Sequence, residues 1–187
     1  MDNYSIPMLV ADLKRVVSKA SDEHEILSGV RPLARRAALS KDAWIEKRFY
    51  TADAEQGFGL HLLHEEPDHS LALFAVSWLP GRGTPPHDHG TWAVVASVDG
   101  PEKNTFFERI DDRSRPGYAE LRKTGEKVFG VGDVLAMHTG QIHGIRNDSE
   151  RVSVSLHIYG RNIQHTGRLQ SDPESRTETP FPVKLQS

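Results

Sequence analysis

Three histidines have the spacing of a metal site. His87 and His89 are separated by one residue, and His143 follows a segment that contains Gly140. Side chains two residues apart in a strand point to the same side, so His87 and His89 could bind one ion together. Gly140 permits the tight turn that would place His143 near the start of the next strand. Three imidazoles without a carboxylate favour iron, copper, zinc, nickel or manganese over calcium or magnesium.

The remaining histidines carry no such pattern. A His-x-His pair often arises by chance, and such residues are then surface histidines or bond to backbone carbonyls. What distinguishes His87 and His89 is the second, glycine-containing segment around His143. We interpret the following as surface or backbone-bonded histidines: His24, His61, His64, His69 and His165.

A run of alternating residues forms a second polar pattern. Apolar side chains at Val152, Val154, Leu156 and Ile158 alternate with Ser153, Ser155, His157 and Tyr159. In a strand, the two sets lie on opposite faces. The polar face therefore lines a cavity, or it faces water at the edge of a sheet.

Helices followed by strands must position these residues. Apolar spacing predicts that residues 1–40 are helical, with a second helix after Ser21-Asp22 and a third short piece from Pro32 to Leu39. Short apolar runs broken by Gly, Pro and Asp follow from about Gly57 and indicate an all-β barrel or sandwich. The predicted strands are 59–64, 71–78, 92–98, 104–110, 119–128, 134–137, 142–147 and 152–159.

Length and composition indicate one globular domain of 187 residues. We divide it into an N-terminal helical segment (1–50), a β-barrel (57–168) and an extended polar tail (169–187). The net charge of −3 argues against nucleic acid as a partner. No apolar run approaches the roughly 20 residues that span a bilayer, so we expect no membrane partner. The absence of cysteine excludes disulfides and thiolate metal ligands, and the first residues lack a signal-peptide pattern, so we expect a cytoplasmic protein.

Both histidine segments resemble the paired cupin motifs. The first motif matches at Gly81, His87, His89 and Gly100. The second matches at Gly132, Gly140, His143 and Asn147, with His138 in place of the usual proline. Many cupins add a glutamate ligand after the His-x-His, but Ala93 and Val94 occupy those positions. The resemblance implies a cupin double-stranded β-helix, a jelly-roll barrel with N-terminal helices, and a three-histidine metal site.

The alternating strand narrows the resemblance to one enzyme family. Ser155-x-His157-x-Tyr159 is similar to the Ser–His–Tyr triad of the thiol dioxygenases, the cysteine dioxygenase family. The resemblance implies an Fe(II) cofactor held by the three histidines and a small thiol oxidised by O2 to its sulfinate. Ser155 would orient His157, and His157 would hold the Tyr159 hydroxyl toward the substrate.

Arginine positions suggest the class of thiol. Animal members use an early-strand arginine and a cysteine crosslink, but no arginine lies between Arg48 and Arg82 and no cysteine is present. Bacterial relatives acting on 3-mercaptopropionate have an arginine after the triad, which Arg168 matches and Arg161 matches less well. Arg168 would then bind a thiol carboxylate, 3-mercaptopropionate or a cysteine-like compound.

Two other interpretations stay open from the sequence. One is a cupin that binds a ligand without turnover, and the other is a cupin dioxygenase or isomerase for a non-thiol substrate. The physiological thiol, the oligomeric state, the pathway and the role of His138 are not predicted by these motifs.

Overall fold

The computed structural model describes residues 3–186 and begins with two helices. They are α1 (Ile6–Val17) and α2 (Glu23–Leu39), the latter capped by Asp22, whose side chain accepts from the Glu25 N–H. The prediction of a separate helical piece from Pro32 was wrong, because α2 continues through it. Buried side chains on both sides of Pro32, among them Val30 and Ala34, hold the helix against the barrel and offset the cost of an interior proline.

Ten strands follow within the described residues, and the first eight agree closely with the predicted ones. Short 3₁₀ helices at Lys41–Ala43, Lys47–Tyr50 and Ile163–His165 lie in the connections. The strands are β1 (Phe58–Glu65), β2 (Ser70–Trp78), β3 (Ala93–Asp99), β4 (Glu102–Arg109), β5 (Leu121–Phe129), β6 (Val134–Met137), β7 (Ile142–Arg146), β8 (Ser153–Arg161), β9 (Leu169–Asp172) and β10 (Thr177–Pro180).

The larger sheet has the order β1-β2-β8-β3-β6, and its strand pairs are antiparallel. β8 lies between β2 and β3, and Ser155, His157 and Tyr159 on its polar face are buried, so this face does not face water. Its apolar side chains Leu156 and Ile158 pack with the helices in one core cluster. Tyr159 belongs to a second cluster, together with residues such as Phe74 and Val95. The polar face of β8 therefore points into the barrel.

The opposite sheet carries the predicted metal ligands. Its regular part has the order β5-β4-β7, and isolated bridges join His87 to His143 of β7 and to Gln170 of β9. The prediction that His87 and His89 meet His143 inside the barrel is confirmed, but the prediction that they lie in a regular strand was wrong. They lie in an extended segment that runs beside β7. The tail is extended, as expected, but it pairs as the hairpin β9–β10 next to this segment.

No helix within residues 3–186 has the length and apolar character needed to cross a bilayer.

Candidate metal centre and its cavity

The three predicted ligands converge inside the barrel. His87, His89 and His143 are buried, and a ring nitrogen of each lies within 4.8 Å of those of the other two. The backbones of His87 and His143 exchange two N–H to carbonyl hydrogen bonds, of 2.8 and 3.1 Å. Gly83 permits this pairing, because a Cβ there would lie 1.9 Å from the Ile145 carbonyl oxygen. The cluster thus depends on a close backbone approach as well as on the histidines.

Hydrogen bonds on one side of the rings orient two of the imidazoles. The Nδ1 of His143 lies 2.8 Å from Asn104 Oδ1, and the Nδ1 of His87 lies 3.0 Å from the Pro85 carbonyl oxygen. Both partners are acceptors, so each Nδ1 carries the proton and each Nε2 keeps its lone pair. The Nε2 of His143 is buried and has no hydrogen-bond partner among the described residues.

The surroundings keep all three rings uncharged. Burial lowers the pKa of His87 and of His89 well below the usual range, and the neighbouring His143 lowers both further. Burial, followed by the charge of Arg168, lowers the pKa of His143 to about 3. Neutral imidazoles with an orphaned Nε2 are the donors that a transition metal requires, so this group could hold a metal ion.

A hydrogen-bonded chain lies beside the histidines. Ser155 Oγ is 2.9 Å from His157 Nε2, and His157 Nδ1 is 2.7 Å from the Tyr159 hydroxyl. The indole N–H of Trp78 donates to Ser155 Oγ at 3.2 Å. The Tyr159 ring centroid lies 5.2 Å from that of His89, which brings the end of the chain next to the metal centre. Burial raises the pKa of Tyr159, so its hydroxyl stays protonated at neutral pH.

Arg168 reaches the same cavity. Its side chain is 6% exposed, and its guanidinium lies 4.3 Å from the ring centroid of Phe181. Its Nε has no hydrogen-bond partner, and no salt bridge between described residues includes it. Burial lowers the pKa of Arg168, while Tyr159 and Asp88 raise it. A buried cation without a paired anion is costly unless a ligand supplies the charge.

The second arginine considered from the sequence lies elsewhere. Arg161 is exposed, and its Nε donates to the His165 carbonyl oxygen at 3.0 Å. The structure therefore places Arg168, and not Arg161, in the cavity that His87 lines.

Apolar side chains close the cavity around these polar groups. They come from both sheets and from the tail. Those lining it are Phe58, Leu60, Val76, Ile145, Ile163 and Phe181. Phe181 also lies 5.0 Å from the His87 ring, and the sequence offered no signal for its placement. Asn104 was missed too, although it shares a strand face with the buried Glu102, an unusual pair of polar residues for a barrel interior.

Two further histidines lie outside the cavity. The Nε2 of His61 bonds to the Thr51 carbonyl oxygen at 2.9 Å, and its ring packs on Phe49. His138, at the position of the motif proline, is exposed, and its Nδ1 lies 2.8 Å from Glu23 Oε2 at the start of α2. Its role is thus a contact between the β6–β7 turn and a helix.

A second group of ligand-type side chains was not found from the sequence. Glu65, His69 and His165 also bring their ligand atoms within 4.8 Å of one another, but they are partly or fully exposed. This peripheral cluster lies where the β1–β2 turn meets the 3₁₀ helix Ile163–His165.

No family model matches the chain. The structure is similar to that of an uncharacterised Klebsiella pneumoniae protein with a double-stranded β-helix domain. The match has a TM-score of 0.50 and 12% sequence identity, and it covers 67% of this chain and 88% of that chain. An oxalate oxidase matches with TM-score 0.48 and 16% identity over 81% of this chain and 65% of that one. KdgF from Halomonas sp. matches with a TM-score of 0.44 and 17% sequence identity, over 59% of this chain and 84% of that chain. The chain therefore has a cupin fold, a double-stranded β-helix with N-terminal helices, and a buried three-histidine group that could bind a metal.

Proposed function

We propose that the protein is a mononuclear iron(II) thiol dioxygenase that converts a small thiol carboxylate to its sulfinate. One observation carries the proposal. A single cavity contains His87 of the three-histidine group, the hydrogen-bonded Tyr159 hydroxyl and the unpaired guanidinium of Arg168. In that order, these groups would provide a metal ligand, a proton donor and a binding site for a carboxylate.

His87 and His143 would hold the iron through Nε2, which their Nδ1 hydrogen bonds leave free, and His89 would supply the third ring nitrogen. Bound there, iron(II) would lower the pKa of the substrate thiol and supply the redox chemistry between the thiolate and O2.

Arg168 would bind the carboxylate of the substrate. Its two terminal nitrogens can donate two parallel hydrogen bonds to a carboxylate, and the Phe181 ring supports the guanidinium from one side. The substrate would thereby supply the counter-charge that Arg168 lacks in the described residues. This contact would also fix the distance between the carboxylate and the thiol, which selects for a short thiol acid.

Tyr159 would act as a hydrogen-bond donor to the reacting groups. If His157 donates its Nδ1–H to the Tyr159 oxygen, the phenol proton is free to point into the cavity. The apolar lining excludes water, which strengthens this bond and limits loss of partly oxidised sulfur to side reactions.

The overall reaction is balanced without another reductant. The sulfur of RSH loses four electrons, O2 gains four, and both oxygen atoms end in RSO2H.

The test is oxygen uptake by protein loaded with iron(II) under anaerobic conditions. The thiols are 3-mercaptopropionate, cysteine, cysteamine and mercaptosuccinate, and the products are identified by mass spectrometry with ¹⁸O2. We expect uptake with a thiol carboxylate and a sulfinate that contains two labelled atoms. Binding of a thiol carboxylate without uptake would indicate a ligand-binding cupin. Uptake only with non-thiol compounds would indicate a different dioxygenase.

A further inference from the structure

An acidic residue is buried behind the Ser155–His157–Tyr159 chain. Glu102, the first residue of β4, is 1% exposed, and neither carboxyl oxygen has a hydrogen-bond partner among the described residues. Burial raises the pKa of Glu102 to about 7, and the nearby Ser155 hydroxyl and Trp78 indole moderate the rise. A buried acid of this kind calls for an explanation, because desolvation is costly and the proposed metal site does not use it.

The surroundings of Glu102 explain how its charge could matter. Ser155 of β8 and the indole of Trp78 of β2 lie near enough to lower the pKa of its carboxyl group, although neither is within hydrogen-bond distance of it. The backbone partner on β5 is Phe129. Tyr159, whose pKa Glu102 raises, and its hydrogen-bond partner His157 are the titratable groups beyond Ser155.

Proton counting in the chain leaves two possible arrangements. Trp78 can only donate, and its N–H already points at Ser155 Oγ. Ser155 has one proton, which it can give to His157 Nε2, 2.9 Å away, or to Glu102 once a side-chain movement brings the carboxylate within hydrogen-bond distance. If His157 receives it, His157 must carry its own proton on Nδ1 and donate it to Tyr159, whose hydroxyl proton is then free for the cavity.

The other arrangement reverses the Ser155–His157 and His157–Tyr159 bonds. If Ser155 donates to Glu102, His157 donates from Nε2 to Ser155 and accepts the Tyr159 proton at Nδ1. The tyrosine then no longer donates into the cavity. An ionised carboxylate is acceptor-only and favours this second arrangement, whereas a protonated carboxyl can donate to Ser155 and favours the first.

We propose that Glu102 is a positioning residue that sets the direction of the Ser155–His157–Tyr159 hydrogen bonds. As a neutral acid it keeps Tyr159 donating toward the metal centre, and as a carboxylate it turns the tyrosine proton away. The effect on turnover rests on the proposed function, but the effect on the His157 tautomer does not.

The test of the tautomer is ¹⁵N NMR of histidine-labelled full-length protein, either metal-free or loaded with diamagnetic zinc. We expect His157 to carry its proton on Nδ1 at pH 6 and on Nε2 at pH 8.5. In Glu102→Met, which keeps the size but removes the acceptor, we expect Nδ1–H at both pH values. An unchanged wild-type tautomer between the two pH values overturns the proposal, and so does a reversal that persists in Glu102→Met. The wild-type measurement alone is decisive if the variant does not fold.

The pH dependence of kcat distinguishes a failure of the proposed role of Glu102 from a failure of the proposed function. With a pKa of about 7, the acid fraction of Glu102 falls roughly 30-fold between pH 6 and 8.5, and kcat should fall with it. In Glu102→Met the same change of pH should alter kcat less than about threefold, since the titrating group is absent. If the wild type oxidises no thiol, the proposed function fails, and the NMR result still decides the role of Glu102.

Discussion

Two clusters each bring three ligand-type side chains within 4.8 Å of one another but are built in opposite ways. In the buried cluster of His87, His89 and His143, backbone or amide oxygens bind two of the Nδ1 atoms, and Nε2 of His143 has no partner. In the peripheral cluster, His69 Nδ1 is already bonded to Glu65 Oε1 at 2.6 Å. The rings of His69 and His165 there stack face to face, with centroids 3.8 Å apart.

The difference leads us to expect that proximity of ligands is not sufficient for a metal site. In the buried cluster the surroundings have already oriented the rings and removed the competing hydrogen bonds. In the peripheral cluster one ring nitrogen already binds a carboxylate oxygen, and the two stacked rings lie in nearly parallel planes, which hinders their lone pairs from meeting at one point. We therefore expect a metal only in the barrel, and the following predictions test that expectation.

The largest expected effect is loss of the metal from one cluster only. His143→Ala removes the ligand whose Nε2 is orphaned, and it should abolish stoichiometric iron(II) binding, measured by metal analysis after anaerobic loading and desalting. His165→Ala is the matched control in the peripheral cluster and should bind one iron per chain. Loss of the metal from His165→Ala and its retention in His143→Ala would contradict the expectation that iron binds in the buried cluster.

The next effect concerns the buried charge beside the metal. Arg168→Ala should raise KM for a thiol carboxylate by the equivalent of roughly 2–5 kcal/mol, because the anion loses its partner in a desolvated pocket. Cysteamine, which has no carboxylate, should be affected far less. Exposed Arg161→Ala is the control and should behave as wild type with both substrates. Equal losses with the two thiols would mean that Arg168 is structural.

Removal of the Tyr159 hydroxyl tests whether metal binding and turnover depend on different residues. Tyr159→Phe should leave iron content and folding nearly intact and lower the rate of sulfinate formation by about 10- to 1000-fold, the usual cost of one lost transition-state hydrogen bond. Tyr50→Phe, which removes a hydroxyl that donates to Asp99 outside the cavity, is the control. An unchanged rate and unchanged coupling of oxygen uptake to product in Tyr159→Phe would contradict the proposed role.

Substitutions of two asparagines test whether the orientation of the histidine rings matters for iron binding. Asn104→Ala leaves the Nδ1–H of His143 without an acceptor and should weaken iron binding by about 10- to 100-fold. Asn104→Asp restores an acceptor and should recover most of the affinity. Asn162→Ala removes the amide that donates to Glu65 in the peripheral cluster, so titration with iron(II) should give the wild-type affinity. Equal affinities for Asn104→Ala and wild type would show that orientation is unimportant.

Much of this arrangement could be predicted from the sequence because it depends on local patterns. Alternating residues and turn glycines located the strands, and the motif spacing brought His87, His89 and His143 together. The residues that were missed depend on contacts distant in sequence. Glu102 and Asn104 point inward only because the barrel closes around β4, and Phe181 reaches His87 only through the tail hairpin. His69 and His165 meet across two connections that no local pattern relates.

The smallest expected effect is a pH dependence of stability in the metal-free protein. Burial, followed by the nearby His143 and Arg168, lowers the pKa of His157 to about 3, whereas an unfolded histidine has a pKa near 6.5. Between these values the unfolded chain binds the proton and the folded chain does not, so stability is present above about pH 6.5 and is lost as the pH falls. From pH 7.5 to 5.0 this one ring should cost about 2 kcal/mol in the free energy of unfolding. Urea unfolding of His157→Gln should therefore lose about 2 kcal/mol less over that range than wild type. His165→Gln is the control for removing an exposed ring. Parallel pH dependences of wild type and His157→Gln would show that His157 is not held neutral in the folded barrel.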